Sequence, residues 1–197
     1  QNQMENPLLK EYDTPHESVP FSQIKNEHYL PAFEIAMQMA KKDIEDICNN
    51  PAEPTFENTI LAFETSGKTL TKVATVFFNM NSAETNDQIQ EIAKTVSPML
   101  SSHSNDILLN PVLFKRIKTV YEKRNSLNLN PEQMRLLERQ YKSFTRNGAN
   151  LNDAQKEQLR AIDMELSTTT VNFGQNALAE TNKYFLKRSI ILSCIAS

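Results

Sequence analysis

The fold of this chain is decided by the stretch PAFEIAMQMAKKDIEDIC, residues 31–48. Its apolar residues recur at three- and four-residue steps, at Phe33, Met37, Ala40, Ile44 and Ile47. This is the spacing of residues that share one face of an α-helix. Pro31 suits a first helical turn, where the backbone N–H has no intrahelical partner. The stretch therefore predicts one amphipathic helix over residues 31–48.

The same helical spacing recurs along the rest of the chain. Thr55 is predicted as the N-cap of the next helix, without a full capping box because Asn58 stands three positions later. This pattern extends to Met80, and Gly67 either divides it or lies within one long helix. Further helices are predicted to begin at Asn86, Asn110-Pro111, Asn130-Pro131 and Asn152 or Asp153. The apolar face of the last helix is predicted to consist of Leu159, Ile162, Leu166, Thr169, Phe173 and Ala177.

These patterns predict an all-α fold, an antiparallel bundle of six or seven helices. The chain has only three glycines, which favours long helices with short connections, since the hairpin turns of sheets use glycine heavily. Residues 1–25 contain Pro7, Pro15 and Pro20 and are predicted to form an extended N-terminal arm. A helical domain follows over residues 26–186. Residues 187–197 form a divergent tail without a helical face, expected to be frayed or irregularly packed on the bundle.

The composition argues against several classes of function. The net charge is −3, and the 21 basic residues are interspersed among 24 acidic ones. Because there is no basic stripe to neutralise phosphates, nucleic acid is not an expected partner. No apolar run approaches the ~20 residues of a membrane span, and two cysteines are too few for a disulfide framework. The start at Gln1 fits either a removed leader or a trimmed end, so cytoplasmic and periplasmic locations both stay open.

The candidate chemical residues do not form a recognisable catalytic or metal-binding pattern. A zinc hydrolase needs two histidines one helical turn apart, a general base and a third ligand. The histidines here are His16, His28 and His103, and His16-Glu17 fails the HExxH pattern because Pro20 holds its fifth position. The group around His28 is interpreted as a helix entry whose side chain caps backbone amides. The sequence also lacks a G-x-S-x-G motif and a phosphate-binding loop. We therefore predict no catalytic, cofactor-binding or metal-ligating residue in this chain.

Several ordered segments nevertheless resemble one protein family. PFSQIKNEHYLPAFE at residues 20–34 resembles the opening of the dipeptidyl carboxypeptidase and oligopeptidase A group of zinc metallopeptidases, relatives of thimet oligopeptidase. PTFENTI at residues 54–60 and VFFNM at residues 76–80 follow in the family's order. NPLL at residues 6–9, SSHSNDI at residues 101–107 and the stretch from Leu151 to Phe173 extend the resemblance. It covers roughly residues 6–186, and dipeptidyl carboxypeptidase is the preferred subgroup.

The resemblance implies an almost wholly helical fold around a deep channel that admits short peptides. In the family, an HExxH helix and a later glutamate hold the catalytic zinc, and these elements lie beyond the matched region. No catalytic residue can therefore be carried over to this chain. The tail KRSIILSCIAS at residues 187–197 departs from the family, as a frameshift, an early stop or a misread gene end would make it do.

The leading hypothesis is the amino-terminal helical part of a zinc-dependent peptidyl-dipeptidase. It would form one wall of the substrate channel and be inactive alone, with zinc expected in full-length relatives. The alternative is a free-standing helical module that binds peptides or a protein. The expected partners are short peptides or a missing catalytic half, and a homo-oligomer could form through exposed apolar surface.

Overall fold

The computed structural model describes the backbone of residues 6–10 and 21–195, and the side chains of these residues except Phe21 and those beyond residue 178. The described residues form α-helices and short 3₁₀ or π-helical turns, without a strand. The α-helices are α1 (Tyr29–Cys48), α2 (Ala62–Thr65), α3 (Lys68–Ala83), α4 (Asp87–Leu108), α5 (Pro111–Glu122), α6 (Pro131–Arg146) and α7 (Asp153–Ile195). A π-helical turn, Phe56–Leu61, leads directly into α2. The predicted all-α fold is confirmed.

Asparagine side chains cap four of the helices where the sequence predicted their starts. Asn86, Asn110, Asn130 and Asn152 each accept a hydrogen bond from a backbone N–H of the first helical turn at 2.9–3.0 Å. Such a bond satisfies one of the amide groups that a helix start leaves without an intrahelical partner. Pro111 and Pro131 then occupy the first helical positions. The short-range signals in the sequence therefore set these helix starts.

The N-cap at Thr55 forms a reciprocal pair, contrary to the prediction. Thr55 Oγ1 accepts from the backbone N–H of Asn58 at 3.1 Å, and Asn58 Oδ1 accepts from the backbone N–H of Thr55 at 2.9 Å. An asparagine carbonyl oxygen lies close enough to replace the usual glutamate or glutamine of a capping box. The prediction that Asn58 leaves the box incomplete is therefore wrong.

Helices α4 and α7 pair in opposite directions. The polar contacts between them show this, because residue numbers rise along one helix as they fall along the other. These contacts join Lys156 to the Leu109 carbonyl at 3.2 Å, Arg160 to Asp106 at 2.7 Å, Ser101 to the Asp163 carbonyl at 3.3 Å and Gln175 to the Gln90 carbonyl at 2.9 Å.

Helices α1 and α3 are antiparallel as well, since Phe33 contacts Phe77 while Asp43 accepts a hydrogen bond from the Gly67 N–H at 3.1 Å. Gly67 has φ +65°, a left-handed conformation that favours glycine. It separates α2 from α3, so the helical pattern between Thr55 and Met80 is divided at this residue.

The buried side chains form two apolar clusters. The first joins α1, α3 and α4 and contains Leu8, Tyr29, Phe33, Val73, Phe77, Ile89, Ile92 and Val96. The second joins the end of α1 to the π-helical turn, α5 and α6 and contains Ile44, Ile47, Phe56, Ile60, Leu113, Ile117, Leu137 and Phe144. The end of α1 thus links the two halves of the core.

The predicted arm and tail differ from expectation where the structure describes them. In the arm, residues 7–9 form a turn that buries Leu8 completely, and Phe21–Gln23 form a 3₁₀ turn. The arm residues 1–5 and 11–20, with His16, lie outside the described residues. The backbone of α7 continues past residue 186 to Ile195 as a helix, where the sequence predicted a frayed or irregularly packed tail. The packing of the tail side chains lies outside the described residues.

Helix α7 buries a different face from the one predicted. Ile162, Leu166 and Phe173 are 60%, 60% and 74% exposed. The side that faces α4 instead carries Arg160, Val171 and Gln175 and other small or polar residues. Leu159 of the predicted face is half-buried, but the described residues leave Ile162, Leu166 and Phe173 uncovered.

Candidate functional site

Three of the segments that carry the family resemblance meet in the first core cluster. Asn6 Nδ2 donates to the carbonyl of His28 at 2.7 Å, and Asn6 Oδ1 accepts from the backbone N–H of Leu8 at 3.0 Å. Leu8 and Tyr29 are fully buried beside this contact. The NPLL segment is thereby fixed against the EHYLPAF segment.

The VFFNM segment reaches the same place through its aromatic rings. The ring of Phe77 lies edge-on to Tyr29, Phe33 and Phe78, with centroid separations of 5.0, 5.6 and 5.1 Å. Edge-to-face aromatic pairs stabilise by roughly 0.5–1.5 kcal/mol beyond the area they bury. These residues therefore hold α1 and α3 together.

The PTFENTI segment is held by a buried arginine. Arg116 is only 7% exposed, and its guanidinium donates to the carbonyls of Asn50 and Ala52 at 2.9 and 3.3 Å and to Asn58 Oδ1 at 3.2 Å. Asn58 Nδ2 also donates to the Glu53 carbonyl at 2.9 Å. The arrangement fixes the loop between α1 and the π-helical turn on α5.

Sequence reasoning missed the buried polar residues, among them Arg116 and Gln140. Gln140 donates to the Ile60 carbonyl at 3.1 Å and to Glu64 at 3.2 Å. Both had a usable signal, because each stands at helical spacing from the apolar residues of its own helix. Leu113 and Val120 flank Arg116 at three and four residues, and Leu137 precedes Gln140 by three. A polar residue at such a position predicts a buried polar contact.

The structure describes two histidines, His28 and His103, and they have different surroundings. The Nδ1 of His28 accepts from the backbone N–H of Lys25 at 3.1 Å, as the capping interpretation predicted. His103 lines a groove of about 520 Å³ between α1, α3 and α4 with Leu70, Leu100 and Ile107. Burial lowers the pKa of His103 below its ordinary 6.5, Asp106 opposes this shift, and Lys41 adds to it. The structure does not bring the two imidazoles together.

Zinc in proteins is bound by His, Cys, Asp and Glu side chains. Within the described residues, no three His, Cys, Asp or Glu side chains lie close enough to hold a metal ion. Cys48 is half-buried, and burial raises the pKa of its thiol, while Arg116 and Asn110 oppose the shift. The described residues therefore do not fit the zinc of the resembled family, and we assign no step to that ion.

The inner side of α7 is polar and partly open. With α3 and α4 it borders a groove of about 470 Å³ lined by Phe78, Gln90, Thr170, Val171 and Gln175. The outer side carries the exposed Ile162, Leu166 and Phe173, which we call the outer stripe. In the part of the chain that the structure describes, none of the helices combines the length and apolar character needed to span a bilayer. The outer stripe is the largest apolar feature left on this helix.

Comparison with known proteins gives strong matches along most of the chain. The chain is 42% identical over 174 residues to a dipeptidyl carboxypeptidase of Escherichia coli and 40% identical over 174 residues to the dipeptidyl carboxypeptidase of Salmonella typhimurium. It is 27% identical over 178 residues to an oligopeptidase A of Haemophilus influenzae. These alignments cover 88–90% of the chain. No family model matches.

The matched region is a limited part of each relative. The chain spans about a quarter of the length of these curated relatives, 26% for both dipeptidyl carboxypeptidases and 25% for the oligopeptidase A. The oligopeptidase A matches fall in the amino-terminal quarter.

Proposed function

Because the chain belongs to the dipeptidyl carboxypeptidase and oligopeptidase A family, we propose that it is the amino-terminal helical part of a zinc-dependent peptidyl-dipeptidase. In this role it forms one wall of the channel that receives short peptides. It is inactive alone, because the HExxH helix belongs to the three quarters of the enzyme that this sequence does not contain. Zinc is held there, and not by His28 or His103.

The observation that carries the proposal is the 42% identity over 88% of the chain. Its supporting detail is structural: three segments that resemble the family fix one another through Asn6 and Phe77, and Arg116 fixes the PTFENTI segment on α5. Residues that fix a scaffold and carry no chemistry suit a segment that shapes a channel and leaves catalysis to another part of the enzyme.

The proposal is tested on the purified 197-residue chain. We expect no release of dipeptides from the carboxyl end of a short peptide at any zinc concentration, and no zinc retained after dialysis. Peptide cleavage with one zinc ion bound per chain would refute the inactive part of the proposal, because catalysis would then come from residues of this chain.

A second candidate function is a helical module that binds a peptide or a protein by itself, and the outer stripe favours it. Exposed apolar surface of this kind marks interaction sites. A fluorescent peptide with a free carboxyl terminus would then bind the isolated chain, measured by anisotropy. Saturable binding that Phe173→Gln abolishes would support the module. Binding that the substitution leaves unchanged would exclude the outer stripe as its site.

A further inference from the structure

The outer stripe has the spacing of a helix-pairing seam. Ile162, Leu166 and Phe173 are separated by four and seven residues, and Thr169 stands between the last two. Alternating three- and four-residue steps place side chains on the side of a helix that another helix can cover. The three apolar side chains are 60–74% exposed on that line.

The opposite side of α7, which faces α4, makes mainly polar contacts. Toward α4, α7 presents Arg160 to Asp106, the Asp163 carbonyl to Ser101, and Gln175 to the Gln90 carbonyl. The inner face thus combines these polar contacts with the apolar Val171 and Leu178, while three large apolar side chains are directed to solvent. A surface helix ordinarily has the reverse arrangement. This inversion indicates that a second layer of protein covers the outer stripe.

The size of the outer stripe indicates whether a second copy of the chain or a segment of the same polypeptide covers it. Its 11-residue span corresponds to roughly 16 Å of helix. Three side chains with these exposures offer on the order of 400 Å² of apolar surface. A stable dimer buries about 800 Å² on each partner, so a second copy would bind weakly through this stripe. A segment joined to the same polypeptide needs far less surface, because the linkage keeps its effective concentration high.

The relatives supply such a segment, since the match spans only 26% of the length of each dipeptidyl carboxypeptidase. We propose that an apolar helix from the remaining three quarters of a full-length family enzyme packs on the outer stripe of α7. This inference rests on the proposed function. It adds which surface of the chain makes the contact, and it names an apolar helix with three- and four-residue spacing as the partner.

The test uses a chimera in which this chain replaces the matched segment of the E. coli dipeptidyl carboxypeptidase. Leu166→Cys is introduced into both the isolated chain and the chimera, with Cys48→Ser and Cys194→Ser in each. Labelling by a maleimide is followed at the peptide containing residue 166 by mass spectrometry. We expect labelling in the chimera to be at least about tenfold slower than in the isolated chain, since a covered site reacts only when it opens.

Val112 provides the matched control, because it is 49% exposed and lies on α5, away from the stripe. Val112→Cys is expected to label at the same rate in both proteins. Equal rates for Leu166→Cys in both proteins would overturn the proposal. So would equal slowing at both positions, because the shielding would then not be specific to the stripe.

A second measurement keeps the proposal falsifiable if the chimera does not fold. A cysteine at the aligned position of the intact E. coli enzyme must then be protected in the native state, and rapid labelling there would overturn the proposal. A dimer of the isolated chain that is lost on Phe173→Gln in sedimentation, together with rapid labelling at the aligned position of the intact enzyme, would favour a second copy instead and overturn it. Dipeptide release by the chimera reports the proposed function separately, so the two failures are distinguishable.

Discussion

At the scale of single residues, Arg116 is the polar side chain on which the loop after α1 depends. Its guanidinium donates to two loop carbonyls and to Asn58, and the side chain is only 7% exposed. Arg116→Met keeps the apolar stem and leaves these acceptors without their donor. We expect the free energy of unfolding to fall by about 2–4 kcal/mol, measured by urea denaturation. Arg135→Met, at an exposed position of α6, is the control and should change it by less than about 0.5 kcal/mol. Equal losses for both variants would contradict the role of Arg116.

His103 makes the stability of the bundle depend on pH. Because burial lowers the pKa of His103 below 6.5, the unfolded chain takes up the proton more readily than the folded chain. The contribution of this group to stability is present above pH 6.5, the ordinary pKa of the imidazole in the unfolded chain. It is lost as the pH falls through the lower pKa of the folded state. His103→Gln removes the titration. Wild type is therefore expected to lose stability relative to the variant between pH 7.5 and pH 5, measured by urea unfolding. A difference that stays constant over this range would contradict the assignment.

At the scale of the elements, the junction between α6 and α7 requires a glycine at one place. Gly148 has φ +96°, and a Cβ there would lie 2.9 Å from side-chain atoms of Leu151 and Leu159. Gly148→Ala is therefore expected to destabilise the chain by about 1–3 kcal/mol. Gly174 lies within α7 with no atom near its missing Cβ, so Gly174→Ala should stabilise by about 0.5–1 kcal/mol. Thermal unfolding measures both changes, and shifts of the same sign would be inconsistent with these two environments.

The same elements show how far the sequence alone leads. Helix starts at Asn110 and Asn130 were predictable, because an asparagine cap followed by proline acts through contacts a few residues away. The buried side of α7 was not predictable, because the spacing of apolar residues identifies an apolar face but does not show what covers it. Ile162 and Phe173 are therefore exposed despite their pattern.

For the candidate site as well, features set by nearby residues could be predicted from the sequence, and features set by distant residues could not. The spacing around Arg116 predicts a buried position, but its acceptors Asn50 and Asn58 lie 66 and 58 residues away. Such partners are set by the assembled fold. The family segments were recognisable because their residue types are specific. Their structural role became clear only when Asn6 was found to donate to the His28 carbonyl and the rings of Tyr29 and Phe77 were found in contact.

At the scale of the whole molecule, two apolar clusters linked by α1 form the bundle, and the polar side of α7 closes on α4. The outer stripe then lies on the opposite side of α7, where further protein can be added without rearranging the core. This arrangement fits a segment that matches a quarter of each relative.

Dipeptide release from the chimera, which joins this bundle to the remainder of the E. coli enzyme, tests the claim that the bundle is a working part of a peptidyl-dipeptidase. We predict a kcat/KM within about tenfold of the parent enzyme, abolished by a zinc chelator and restored by zinc. A chimera that is folded and binds zinc but releases no dipeptide would contradict the claim.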